Sequence, residues 1–191
     1  MDPITHLLDE HALIMNEMAA LRRAAAELAG RGDTAVPDVL PVLRRIGEIL
    51  ETQLAWHARK EEDALFPAME RVIGAEGPTA VMRMEHEEIH GQGRLLRATL
   101  RELNEVEHPR IEASRERLRL SMAEGGSAEV FREISEQILH LLDMHFHKEE
   151  QILFPMAQRL LEPAVLDEVA AAISALEEGE SHLRRCQTPD R

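Results

Sequence analysis

Apolar residues recur along this chain at spacings of three and four, the period of a helix with one buried face. Ile4, Leu7, Leu8, His11, Ile14, Met15, Met18 and Leu21 form the first stripe and predict a helix over 3–29, with Pro3 in its first turn. The stretch from Gly30 to Pro37 reads as a loop by its glycines and proline. A second stripe runs Leu43, Ile46, Leu50, Leu54, His57, Glu61, Leu65 and stops near Ile73-Gly74. Gly77-Pro78-Thr79 opens a third, with Met82, His86, Ile89, His90, Gly93, Leu96, Leu100 and Leu103. His108-Pro109 interrupts it, and a short extra helix is predicted over 110–123. Gly125-Gly126-Ser127 starts the fourth, with Ile134, Ile138, Leu141, Leu142, His145, Glu149, Leu153 and Met156. A shorter amphipathic segment, 165–176, follows Pro163, and the tail past Gly179 is expected to fray.

Four long amphipathic helices with short connections predict an all-α chain, packed as an antiparallel up-down four-helix bundle. The bundle domain is expected over 1–162, with a C-terminal helical appendage and tail over 163–191. Pro67 and Pro155 lack the backbone N–H that a helix interior uses, so each is expected to kink or end its helix.

The stripes are not purely apolar. Of ten histidines, His11, His57, His86, His90 and His145 fall on them, together with Glu61 and Glu149. His6, His108, His140, His147 and His182 lie off them, and Lys60, Glu62, Lys148 and Glu150 point more outward. Two segments repeat: His57-Ala-Arg-Lys-Glu61-Glu62-Asp-Ala-Leu-Phe66-Pro67 and His145-Phe-His-Lys-Glu149-Glu150-Gln-Ile-Leu-Phe154-Pro155. Each pairs a His with a Glu one helical turn on. A shorter repeat precedes each, Glu10-His11-Ala-Leu-Ile14 and Glu85-His86-Glu-Glu-Ile89. Burying these groups unpaired would cost several kcal/mol each on the order given for buried charge. A metal cluster supplies partners for all of them. Imidazole and carboxylate without thiolate suit Fe, Mn, Zn or Cu rather than Ca or Mg. Seven ligands exceed what one ion takes and fit two ions sharing carboxylates.

Composition narrows the setting. The formal charge of −14, from 36 acidic and 22 basic residues, argues against nucleic acid as a partner. No apolar run approaches the roughly 18 residues of a membrane span. The N-terminus carries no basic-then-apolar signal segment, and Cys186 is the only cysteine, so a reducing cytoplasm is expected. There is no Tyr, which removes tyrosine ligands.

The order His11, His57-x-x-x-Glu61, His86-x-x-x-His90, His145-x-x-x-Glu149, with its two Lys-Glu-Glu-x-x-Leu-Phe-Pro segments, resembles the bacterial hemerythrin-like (HHE cation-binding) domains of the hemerythrin family. The resemblance covers His11 to about Met156. It implies a non-haem di-iron centre in a four-helix bundle. His86, His90 and His145 would bind one iron, and His11 and His57 the other. Glu61 and Glu149 would bridge the two irons, with a solvent-derived oxo or hydroxo group as third bridge. Oxygen-carrying hemerythrins place an Asp five residues after the last His, whereas this chain has Glu149 at four and Glu150 at five. Glu149 repeats the geometry of Glu61 and is preferred.

Three bridges and three His saturate one six-coordinate iron; three bridges and two His leave one position open on the other. Dioxygen, nitric oxide or peroxide fits that position. The expected function is binding of such a ligand for storage, sensing or delivery. The alternative is an enzyme of oxidative or nitrosative stress defence, by peroxide turnover or iron–sulfur cluster repair. Repair is expected to fit less well, because related repair proteins often carry an extra cysteine-bearing N-terminal domain and the first helix here is read from Pro3. A bundle with structural Zn is the plain alternative. Aligning the short repeats sets Met15 opposite His90, so Met15 is expected in the wall of the ligand pocket. Phe66 and Phe154 are expected to plug the bundle end. The segment 165–176 either covers the bundle or pairs with another subunit, giving a homo-oligomer.

Overall fold

A computed structural model describes residues 1–107 and 126–187. The expected helix over 110–123 and the His108-Pro109 break lie outside the described residues. Every element described is helical. Helix α1 (Pro3–Arg31) starts as predicted. The Asp2 carboxylate accepts the Ile4 backbone N–H at 3.2 Å and the Thr5 hydroxyl at 2.7 Å, so it caps the helix. The helix ends at Gly32, whose φ of +58° suits glycine. The expected loop is a single 3-10 turn, Gly32–Ala35.

The second stripe forms one continuous helical stretch. It comprises α2 (Val36–Ile49), a wide π-helical turn (Leu50–Leu54), α3 (Ala55–Lys60), a second π turn (Glu61–Leu65) and α4 (Phe66–Ile73). Gly74, at φ +82°, ends it. Next come α5 (Pro78–Glu107), α6 (Ser127–Lys148), a third π turn (Glu149–Leu153), α7 (Phe154–Leu160) and α8 (Pro163–Gln187). Pro67 and Pro155 do not end their helices. In each repeat the N–H of the Phe before the proline reaches back five residues, to the carbonyl of Glu61 or of Glu149. The wide turn absorbs the register change that the missing proline N–H demands. Helix α8 runs well past Gly179, to Gln187.

The chain divides into two compact units. The first unites Met1–Ala12, Trp56–Met84 and Phe146–Arg191. Its core holds Ile4, Leu7, Leu65, Phe66, Met69, Met82, Leu153, Phe154, Val169 and Ile173. The phenylalanine rings of both Phe-Pro segments are therefore buried, and α8 contributes to the same core through Val169 and Ile173. The second unit unites Leu13–Ala55 and Glu85–His145. Ile14, Met18, Leu21, Leu43, Ile46, Ile89, Leu96, Phe131, Ile138 and Leu142 are buried there. Gly93 lets α5 approach closely, since a Cβ there would sit 3.4 Å from Leu50 Cβ. Met15 is half-buried.

Candidate metal centre

In the first unit, α1 supplies His11, α3 supplies His57, and the first residues of two π turns supply Glu61 and Glu149. All four are buried to within 1 % of full burial. One donor atom from each lies within 4.8 Å of the other three. His11 Nε2 and His57 Nε2 are 2.9 Å apart. His11 Nε2 lies 3.2 Å from Glu149 Oε2, and His57 Nε2 lies 3.8 Å from Glu61 Oε1. Two adjacent ligands at about 2.1 Å from one ion sit about 3.0 Å apart when they subtend a right angle. The shorter distances match that spacing.

Electrostatics favour a cation in the same place. Burial, and next the charge of Glu61, push the Glu149 carboxyl up to about 7, with only partial relief from the neighbouring His11 and His57. A cation held between the carboxylates reverses both effects. Two imidazoles and two carboxylates without thiolate suit iron, manganese, zinc or copper. The residues present fit a transition-metal ion.

The outward-facing ring nitrogens are also occupied. His11 Nδ1 lies 3.0 Å from Glu150 Oε1, and His57 Nδ1 lies 3.0 Å from Glu10 Oε2. A carboxylate at Nδ1 accepts its N–H and leaves the Nε2 lone pair directed inward, as a metal ligand requires. The two acids of the second repeat thus separate in role. Glu149 is fully buried and sits among the donors, whereas the Glu150 side chain is 38 % exposed and braces His11 from outside.

The second unit repeats the motif. His86 and His145 are buried, their rings 4.7 Å apart at 70°. His145 Nδ1 lies 3.1 Å from Glu85 Oε2. Glu10 therefore serves His57, and Glu85 serves His145; each is the Glu of a repeated Glu-His pair. His90, one turn past His86, is half-buried and belongs to no such cluster among the described residues.

Sequence reasoning assigned no role to Glu10, Glu85, Lys60 or Phe146. The duplicated Glu-His pair was the available signal for the first two. Lys60, expected to point outward, is only 3 % exposed. Its ammonium binds Glu10 Oε1, and Glu177 Oε1 at 2.6 Å. Three residues on a helix amount to about 300° of rotation, which returns Lys60 to within about 60° of His57. The Phe146 ring stacks on His11 at 3.9 Å and 15°, and Phe154 lies 5.4 Å from the same imidazole. His147 is exposed, as its position off the stripe required.

No helix among the described residues is long and apolar enough to cross a membrane. Residues 2–119 match the family described as hemerythrin HHE cation binding domain. That span includes His11, His57, Glu61, His86 and His90, and the second His-Glu copy lies beyond it. No curated protein and no solved structure matches the chain.

Proposed function

The chain belongs to the hemerythrin HHE cation-binding family, and from that premise we propose that it is a di-iron protein that binds a small ligand. In this reading His11 and His57 hold one iron and His86, His90 and His145 the other. Glu61 and Glu149 would be shared between them, and an oxo or hydroxo group would complete the centre. The four stretches that carry these residues pack as an antiparallel up-down bundle. Two irons held there would supply one electron each, enough to take dioxygen to the peroxide level, and either dioxygen, nitric oxide or peroxide would serve as the ligand. The small ligand would be taken up at the iron held by His11 and His57, with Met15 as the expected pocket wall. A cytoplasmic setting fits the single cysteine.

The observation that carries the metal reading is the buried His11, His57, Glu61, Glu149 cluster, with its donors within 4.8 Å of one another. Binding is favoured over turnover by the wall of this cluster. Phe146 and Phe154 cover His11 with apolar rings and keep water and its protons from that side. Glu10 and Glu150 hold the imidazoles in the tautomer that presents Nε2.

The test combines metal analysis with visible spectroscopy. Two irons per chain are expected. After anaerobic reduction, separate additions of dioxygen, nitric oxide and peroxide should each give a persistent charge-transfer band. Gas evolution from peroxide, with recovery of the starting spectrum, would replace ligand binding by peroxide turnover. Zinc as the sole metal of the purified protein would replace the redox reading by a structural one.

A further inference from the structure

His6, Glu10, Lys60 and Glu177 form a polar cluster beside the metal centre, in the first unit. Three of them, His6, Glu10 and Glu177, have the donors of a further cation site. The Lys60 ammonium already occupies it, against Glu10, 2.6 Å from Glu177 Oε1 and 3.4 Å from His6 Nε2. His6 Nε2 is also 2.7 Å from Glu177 Oε1. The cluster is therefore a closed chain of polar contacts. It runs from His57 Nδ1 through both oxygens of Glu10 to Lys60, and from there to Glu177 on α8.

The geometry points to Glu177 as a positioning residue for His57, so that the C-terminal helix sets how tightly the ion at His11 and His57 is held. This rests on the reading that these residues bind metal. Glu10 can brace His57 only while its carboxylate stays turned toward Nδ1, and its side chain is 23 % exposed, so water competes for it. Lys60 holds the other oxygen and fixes the carboxylate plane. The buried Lys60 ammonium is held between two carboxylates, Glu10 and Glu177, so Glu177 keeps it in the place from which it clamps Glu10. With Glu177 neutral, the Lys60 ammonium has reason to extend toward water, and Glu10 follows it away from His57. Helix α8 does not depend on this contact for its place, because Val169 and Ile173 anchor it in the apolar core.

The experiment uses the full-length protein loaded anaerobically with Fe(II), and in parallel with Zn(II). Wild type, Glu177→Gln, Glu10→Gln and the exposed neighbour Glu178→Gln are challenged with a chelator. Glu177→Gln and Glu10→Gln should lose one of the two ions about ten-fold faster than wild type, the lower end of what outer-shell changes cost. Glu178→Gln should match wild type. In the Zn(II) form, the ring-nitrogen NMR signals of His57 should shift in Glu177→Gln, while those of His145 stay in place. A role confined to bracing α8 would leave the His57 signals unmoved. Wild-type loss rates and an unmoved His57 in Glu177→Gln overturn this inference while leaving the metal site standing. A wild-type chain that takes up no metal overturns the metal reading and this inference with it. Should Glu177→Gln fail to fold, Glu177→Ala decides: it removes the carboxylate while favouring the helix, and an ion loss rate equal to wild type with an unmoved His57 rejects the role.

Discussion

Glu149→Gln separates the fold's need for metal from the fold itself. In the metal-free chain, burial and then the charge of Glu61 raise the Glu149 carboxyl from 4.5 to about 7. Its folded-state value lies above its unfolded value. The associated stability is fully present below pH 4.5 and is lost as pH rises through 7. A shift of this size corresponds to about 3 kcal/mol between the two ends of that window. Glutamine has similar volume and no proton to lose. The metal-free variant should therefore gain on metal-free wild type by about 3 kcal/mol as pH climbs from 4.5 to above 7. Urea unfolding of chelator-treated proteins at several pH values reads this, and taking the difference between the two proteins cancels the titration of groups that do not interact with Glu149. If Glu149 is a metal ligand, loading with Fe(II) should reverse the order at pH 7, because the variant then lacks a charge that the ion uses. A metal-free stability difference that stays constant across the pH range would refute the argument, showing that Glu149 is hydrated or already paired in solution.

Other substitutions probe the site and scaffold independently. Glu61→Ala should bind much less iron than His147→Ala, since only Glu61 is among the buried donors; metal analysis after gel filtration compares them, and equal contents would refute the assignment. Met15→His should keep its iron and lose most azide or nitric oxide binding if Met15 faces the open position, while Met15→Leu keeps both; visible titration distinguishes these outcomes. Asp33 accepts the Ala128 backbone N–H at 2.8 Å and caps α6, so Asp33→Ala should cost about 1 kcal/mol in denaturant unfolding. Gly126→Ala would drive a methyl into the same carboxylate; the double variant should therefore cost less than the sum of the single ones, and strict additivity would argue against the shared contact.

The helices and the buried His/Glu donors were legible because periodicity reports one face of one helix at a time. Pro3, Gly74, Pro78 and Ser127 bounded helices where the sequence placed them. His11, His57, Glu61 and Glu149 were found as polar residues on apolar stripes, the one signal that burial leaves in sequence. What stayed hidden depends on contacts between distant segments. Lys60 and Glu177 are 117 positions apart, and nothing in either neighbourhood announces the pair. Phe146 reads as one more apolar residue until its ring is seen flat against His11. The π turns were missed for a different reason: across them the stripe steps four and four, as from His57 through Glu61 to Leu65, which still reads as a helical stripe, and the prolines suggested an end where there is a change of register.

That change of register has a consequence for how each metal helix is built. One extra residue offsets everything beyond it by about 100° of helical phase. The His-to-Glu half of each repeat and its Leu-Phe-Pro half are therefore phased separately, like two cams set on one shaft. The first half can be aimed at the ion, while the second independently turns Leu65 and Phe66, or Leu153 and Phe154, into the apolar core. Deleting one residue from a wide turn, such as Gln151, would lock the two halves into a single phase, so that aiming the carboxylate and burying the phenylalanine become competing demands on one rotation.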